Sequence, residues 1–305
     1  MKKIALRLGG YQGHASVHTR AAVRFGDVLE RLAGSQASFE LVPDVLALGR
    51  KSGELPVMVE TGELALCYMA TVRFSPAVPE LRMFELPFVV RDRARAMAAL
   101  DGALGAFLGG EIQKHTPFRA LGFWDNGFRH FTNSVRPIRT PSDCKGLRIR
   151  IQMSALQGET LSVLGFIPIP VDIKEFVEQV ATDRFQAQEN PLTNTFNFNV
   201  HRHHRYITLS GHFFGASAFV CSQAQYASWP QEVQRAVERA AREATAYQHQ
   251  LAAAEDEEIL AKLDPGENEL IRLSAAEHDA FVKAVEPVLA KHRKDLDTKL
   301  FEYLR

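Results

Sequence analysis

The sequence predicts an α/β protein of two lobes, and three observations carry that reading. Short apolar runs alternate with helical stretches through the first part of the chain, the same rhythm resumes beyond a chemically different region that begins near Leu121, and a long amphipathic helix follows from Pro230. A β-α-β-α-β order implies a mainly parallel sheet covered by helices on both faces.

In the first part, Ile4 to Leu8 reads as a strand, Ser16 to Leu32 as a helix, Phe39 to Val42 as a strand, Glu54 to Glu60 as a helix and Leu64 to Met69 as a strand. A further helix is expected from Asp92 to Lys114, with the lobe change after it.

Thr140-Pro141-Ser142-Asp143 combines a cap residue, a proline at the first helical position and an acid three residues after the cap. A short helix should therefore precede the strand Leu147 to Ile151, entered through a turn at Gly146. A helix over Ala155 to Leu164, a strand at Ile167 to Ile169, a helix over Lys174 to Val180 and a strand at Arg184 to Gln188 complete the repeat of the rhythm.

Two more strands are expected at Tyr206 to Leu209 and Ala216 to Cys221. The helix from Pro230 keeps Val233, Ala236, Val237, Ala240, Ala244, Tyr247, Leu251 and Ala254 on one face. At 1.5 Å per residue it runs about 45 Å, longer than one lobe, and is expected to serve both. Asp264-Pro265-Gly266 ends it, Glu269 to Leu273 reads as a last strand, and Ser274-Ala275-Ala276-Glu277 is a capping box opening a C-terminal helix that Pro287 should kink or split.

Composition removes several function classes. Thirty-six Lys and Arg balance thirty-six Asp and Glu in 305 residues, so there is no global basic field to hold nucleic acid or anionic lipid. Cys67, Cys144 and Cys221 are odd in number and widely spaced, which indicates neither a disulfide framework nor a zinc site; they read as small buried hydrophobes. No stretch reaches the ~18 apolar residues that span a bilayer, and Met1 to Leu8 is strand-like and too short for a signal peptide. Taken literally that chain is cytoplasmic, and a mature chain with an added Met1 gives the same pattern.

The polar groups of interest stand at strand ends of the second lobe: Arg129 in Asn126-Gly127-Phe128-Arg129, Arg150 in Gly146 to Arg150, and Asn190 in Gln188-Glu189-Asn190-Pro191. Strand ends of parallel sheets border the crevices where ligands sit. An arginine inside an apolar strand needs its donors matched, and a ligand carboxylate matches the planar fork through two parallel bonds. The alternative is an internal Asp or Glu partner, and spacing alone leaves both open.

Other motifs are weaker. His201-Arg202-His203-His204 reads as a solvent-facing turn rather than a metal site. Leu8-Gly9-Gly10-Tyr11-Gln12-Gly13 lacks the first glycine of the dinucleotide fingerprint, because Leu8 stands there. No nucleophile elbow, phosphate loop or H-E-x-x-H appears, so catalysis has no positive sign. Trp124, Phe128, Phe131, Phe196, Phe198, Phe213 and Phe214 cluster in sequence around the polar segments; most belong to the core, and Phe213 is a candidate pocket wall.

At these residues the sequence resembles the extracytoplasmic solute-binding subunit of the tripartite ATP-independent periplasmic (TRAP) transporters, the dicarboxylate-binding, DctP-type family. The resemblance rests on Leu48-Gly49, Thr61 to Met69, Phe84-Glu85-Leu86-Pro87-Phe88, Gly146 to Arg150, Leu164-Gly165-Phe166 and Gln188 to Pro191, in that order over nearly the whole chain. It departs at Gln186 and Ala187, where the family has aspartate and glycine.

The resemblance implies a type II periplasmic-binding-protein-like fold with two mixed sheets flanked by helices and a long helix spanning both lobes. Residues 1–123 and 211–250 would form the first lobe, and 124–210 and 251–305 the second. It implies that Arg150 is the principal carboxylate clamp, Arg129 the second arginine and Asn190 a contact to the same carboxylate. Tyr11, His14, Tyr68 and Thr71 are expected to complete the site from the first lobe. It further implies a periplasmic protein whose signal peptide has been removed, which binds a small organic acid and hands it to a membrane permease; a monomer with no cofactor, metal or catalytic residue is the expectation. A sensor for a signalling partner would use the same binding chemistry; an α/β enzyme acting on an acid would add a titratable group beside the clamp.

Overall fold

The computed structural model describes residues 3–304. Its strands are β1 (Ile4–Gly9), β2 (Ala37–Val42), β3 (Leu66–Ala70), β4 (Phe118–Asn133), β5 (Arg148–Ile151), β6 (Ile167–Pro170), β7 (Ala187–Pro191), β8 (Tyr206–Ser222) and β9 (Glu269–Arg272). Its helices are α1 (Val17–Ala33), α2 (Leu55–Glu60), α3 (Arg93–Asp101), α4 (Ala103–His115), α5 (Ala155–Val163), α6 (Ile173–Gln179), α7 (Leu192–Asn197), α8 (Gln223–Ser228), α9 (Gln231–Lys262), α10 (Ala275–Arg293) and α11 (Lys299–Glu302). Strand pairing follows the order β2-β1-β3-β8-β4-β7-β5-β6, with β9 on β8.

Two compact units emerge. The first comprises residues 1–78, 97–125 and 216–255, the second 79–96, 126–215 and 256–305. α3, β4, β8 and α9 each contain a boundary between the units, and only the boundary at 78/79 falls outside these elements.

In the first unit β1 lies parallel to both β2 and β3, and β3 runs antiparallel to the Ser217–Cys221 part of β8. α1 starts at Ser16, whose hydroxyl accepts from the Thr19 N–H, and turns Val17, Ala21, Ala22, Phe25, Val28 and Leu29 inward. Phe25 meets Phe219 edge-on at 5.3 Å. Trp124 stacks on Phe219 at 4.7 Å and its indole N–H donates to Thr245 Oγ1 on α9 at 3.0 Å. That approach needs glycine at 122, where a Cβ would stand 2.7 Å from Thr245 Oγ1.

In the second unit β5 lies parallel to β6 and β7, and β7 antiparallel to β4. Its main core gathers Phe131, Leu147, Ile149, Ile151, Leu161, Leu164, Phe166, Phe281 and Val285. The capping boxes at Thr140 to Asp143 and Ser274 to Glu277 both form. Cys67, Cys144 and Cys221 are buried and free.

Several elements differ from expectation, each for a local reason. The helix over 92–114 is two helices, because Gly102 takes a non-helical backbone (φ −108°, ψ −137°) at the cap of α4. The strand expected from Arg184 starts at Ala187 instead; Arg184 folds back to Glu175 at 2.7 Å. The two strands around residues 206–221 are one, since Gly211 (φ +56°) bends without breaking the ladder and Gly215 lies close to the Gly127 carbonyl. α10 continues through Pro287 unsplit.

The expected lobe change near Leu121 falls inside β4, and the unit boundary comes at 125/126. Residues 79–96, assigned by sequence to the first lobe, pack in the second unit: Phe88 joins its core, the Phe88 N–H donates to the His212 carbonyl at 2.9 Å, and Ser154 hydrogen-bonds Glu85.

Ser274→Ala removes the side-chain acceptor at the start of α10 and should lower unfolding free energy by about 1 kcal/mol, read as a lower midpoint in urea with an unchanged slope.

Candidate functional site

Three successive strands of the second unit carry the polar residues singled out in the sequence. In the β4–β7 ladder Arg129 faces Pro191 and His130 faces Asn190; in the β5–β7 ladder Arg150 faces Gln188. Arg129, Arg150 and Asn190 are all nearly fully buried, at 2%, 4% and 2% exposure.

Arg129 has an internal partner. Its Nε and Nη2 bind the two carboxylate oxygens of Glu189, Nη2–Oε1 at 2.8 Å, and Nη2 also donates to the Glu189 carbonyl at 2.8 Å and to Asn190 Oδ1 at 3.2 Å. The alternative left open by the sequence, an arginine matched by a carboxylate of the same chain, therefore applies to Arg129. Burial by itself raises the Glu189 acid, but the Arg129 charge and hydrogen bonds outweigh it and bring it down to about 2.

Asn190 is oriented by the same group. With Oδ1 accepting from Arg129, its Nδ2 donates to Gln188 Oε1 at 2.5 Å, and Gln188 Nε2 donates onward to Thr195 Oγ1 at 3.0 Å. His212 stacks on Phe131 at 4.0 Å, with Nδ1 2.7 Å from Ser210 Oγ and Nε2 3.8 Å from Glu189. Glu189, Gln188 and His212 were not singled out in the sequence. The available signal for Glu189 was its place between Gln188 and Asn190 in a short polar run, and nothing local marked His212.

Arg150 directs Nε and Nη2 to the Val171 carbonyl, at 3.2 and 3.0 Å, and its guanidinium carbon lies 5.8 Å from the Phe176 ring centre. Phe213, the expected pocket wall, is 1% exposed and packs edge-on against His212 at 4.7 Å.

In the first unit, Tyr11 and Tyr68 are brought together: the Tyr11 N–H donates to the Tyr68 hydroxyl at 3.3 Å, with ring centres 5.6 Å apart. Tyr68 is a core residue beside His18 and Trp124, and burial pushes its phenol upward. Gly10 is required there, because a Cβ would stand 2.6 Å from the Tyr68 hydroxyl. Thr71 is buried just beyond β3, whereas His14 lies exposed in the turn after β1. The 201–204 cluster is not simply a solvent-facing turn: His204 is buried, with Nδ1 2.8 Å from Thr132 Oγ1, and His201 stacks on Phe196 at 4.5 Å. Among the described residues no helix is long and apolar enough to cross a membrane.

The sequence profile of the bacterial extracellular solute-binding proteins, family 7 (DctP), matches residues 8–295. The chain belongs to that family. As a family-7 protein it is a solute-binding protein, not an enzyme, and the DctP-type resemblance read from its blocks holds over nearly its whole length. It is 28% identical to the 2,3-diketo-L-gulonate-binding periplasmic protein YiaO of Escherichia coli over 84% of this chain and 77% of that protein. It is 26% identical to the C4-dicarboxylate-binding periplasmic protein DctP of Rhodobacter capsulatus, over 88% and 80%. Its fold matches the sugar acid binding protein DctPAm of Advenella mimigardefordensis, solved with galactonate, with a TM-score of 0.93 at 22% identity over 100% of this chain and 97% of that one. A TRAP periplasmic solute-binding protein of Sulfurospirillum deleyianum, solved with succinate, matches with a TM-score of 0.92 at 24% identity, over 100% and 99%.

Buried histidines set the acid limit of this family-7 fold. Burial holds His18, His130 and His204 down to about 3, against 6.5 when solvated. Between those values the unfolded chain binds protons that the native chain refuses, so the stability each contributes is present above pH 6.5 and is lost as pH falls, by about 1.4 kcal/mol per pH unit per group. Among the described residues His18 has no hydrogen-bond partner at either ring nitrogen. His18→Phe should leave stability at pH 7.5 unchanged or raised and flatten its fall toward pH 5, checked by urea unfolding at both values.

Proposed function

We propose that the chain is a periplasmic TRAP receptor that binds a small organic acid through Arg150, assisted by Arg129 and Asn190, and delivers it to a membrane permease. One feature carries this reading: two buried arginines and an oriented amide stand on the adjacent strands β4, β7 and β5 of a solute-binding fold. A planar anion is the ligand type that guanidinium and amide donors recognise together. The ligand class follows from relatives named for diketogulonate and C4-dicarboxylates, all carboxylic acids.

Arg129 is neutralised by Glu189, so it contributes directed N–H groups rather than net charge, while Arg150 supplies the principal clamp. Tyr11 and Thr71, at the ends of β1 and β3, select among acids from the first unit. Tyr68 holds the Tyr11 backbone in place. Phe213 acts through His212, and His14 meets the ligand only at the rim.

Calorimetric titration with a panel of mono- and dicarboxylates tests this. Arg150→Ala should weaken the bound acid by about 2–5 kcal/mol while the fold persists, and Arg150→Lys, which keeps the charge but loses the fork, should also bind far more weakly. Unchanged affinity in both folded variants would remove the assigned role.

A further inference from the structure

Away from the polar cluster on β4, β7 and β5, the second unit contains a cavity of about 490 Å³. Its wall is built by Phe88, Phe128, His130, Gly211, His278 and Val282, with Arg91 and Asp279 at its rim. A volume of that order suits a small metabolite.

Three features give the cavity directed chemistry. The Gly211 N–H donates to His130 Nδ1 at 3.0 Å, so Nδ1 carries no proton and the neutral imidazole must carry it on Nε2. His130 is only 8% exposed, and among the described residues its Nε2–H makes no hydrogen bond, which leaves a donor in the cavity wall open to an occupant.

Opposite charges stand at the rim. Arg91 and Asp279 are both exposed, and among the described residues neither makes a hydrogen bond or an ion pair. A ligand of either single sign would meet one attractive and one repulsive group. A zwitterion satisfies both.

The wall between them is aromatic and held under strain. Phe88 sits at φ +56°, a region a bulky side chain avoids, and is kept there by its N–H bond to the His212 carbonyl and by burial of its ring in the core. Its ring meets His278 edge-on at 5.0 Å.

We infer that this cavity is a second ligand site that takes an α-amino acid with an apolar side chain. The side chain packs between Phe88, Phe128 and Val282, the carboxylate is shared by His130 Nε2–H and Arg91, and the ammonium faces Asp279. Donor, cation, anion and apolar wall are each used once. The site is independent of the acid-binding reading, because none of its lining residues is Arg129, Arg150 or Asn190.

The cavity also adjoins the Arg129 cluster through the chain: His130 follows Arg129 on β4, and Gly211 precedes His212 on β8. An occupant bonded to His130 lies one residue from Arg129 on the same strand, and any change it makes in organic-acid affinity is matched by an equal factor in its own.

Calorimetry with L-leucine and L-phenylalanine on the full chain tests the assignment. At least one should bind saturably, with equal affinity in the wild type and in Arg150→Ala. Affinity should fall by about tenfold or more in Arg91→Glu, in Asp279→Lys and in His130→Phe. The two rim variants alter exposed side chains and keep the test valid should His130→Phe fail to fold. N-acetyl-L-phenylalanine, which lacks the ammonium, should bind more weakly than L-phenylalanine. No saturable binding of either amino acid, binding that disappears in Arg150→Ala, or binding indifferent to both rim variants would each overturn the proposal.

Discussion

The second unit is organised around one buried ion pair, Arg129 with Glu189. Its side chains are 3% and 0% exposed, so both charges have been taken out of water, and the Arg129 charge and hydrogen bonds, together with His212, hold the Glu189 acid low against its burial. Such a pair contributes little net stability compared with an apolar replacement, yet losing one partner leaves a buried charge with nothing to offset it. Its effect is therefore on geometry. It ties β4 to β7 beyond what the backbone ladder does, and by donating to Asn190 Oδ1 it fixes which way that amide points.

From that orientation a directed chain of contacts follows. Asn190 turns its amide nitrogen toward Gln188, Gln188 donates to Thr195, and Arg150 occupies the register position beside Gln188 on β5. His212 lies at the other side of Glu189, held flat on Phe131 and hydrogen-bonded to Ser210. Burial lowers its basicity, so it stays a neutral ring next to the carboxylate rather than a competing cation. A low-dielectric setting makes each of these bonds stronger than in water, and it makes any one of them left unmade correspondingly expensive.

Most of the secondary structure was legible because its signals are local. The Ser16 cap, the two capping boxes, the apolar face of α1 and the turn at Gly146 each depend on residues within a few positions of one another. What was not legible depends on distant partners. Tyr206 to Leu209 and Ala216 to Cys221 read as separate strands, because the backbone that Gly215 approaches between them belongs to Gly127 on β4. Residues 79–96 looked like a continuation of the first lobe, because the acceptor for the Phe88 N–H lies at His212. Arg129 and Asn190 were visible as polar groups in apolar strands, but the partner that decides Arg129's state, Glu189, becomes its neighbour only through the antiparallel register of β4 and β7.

The same long-range register bears on how a receptor built this way can move. Of the four elements that contain a unit boundary, α3 is divided at 96/97 and two others carry glycine close to the boundary: Gly127, at φ +81°, follows 125/126 on β4, and Gly215 abuts 215/216 on β8. Glycine tolerates φ/ψ values closed to other residues, so both strands hold torsional freedom where they change unit. The fourth, α9, crosses at 255/256 inside a continuous 32-residue helix, whose hydrogen-bond ladder resists a local change of dihedral angle. Backbone freedom at these boundaries is therefore unequal, high in the two strands that carry glycine and low in the helix, whose dihedral angles are tied together by its hydrogen bonds.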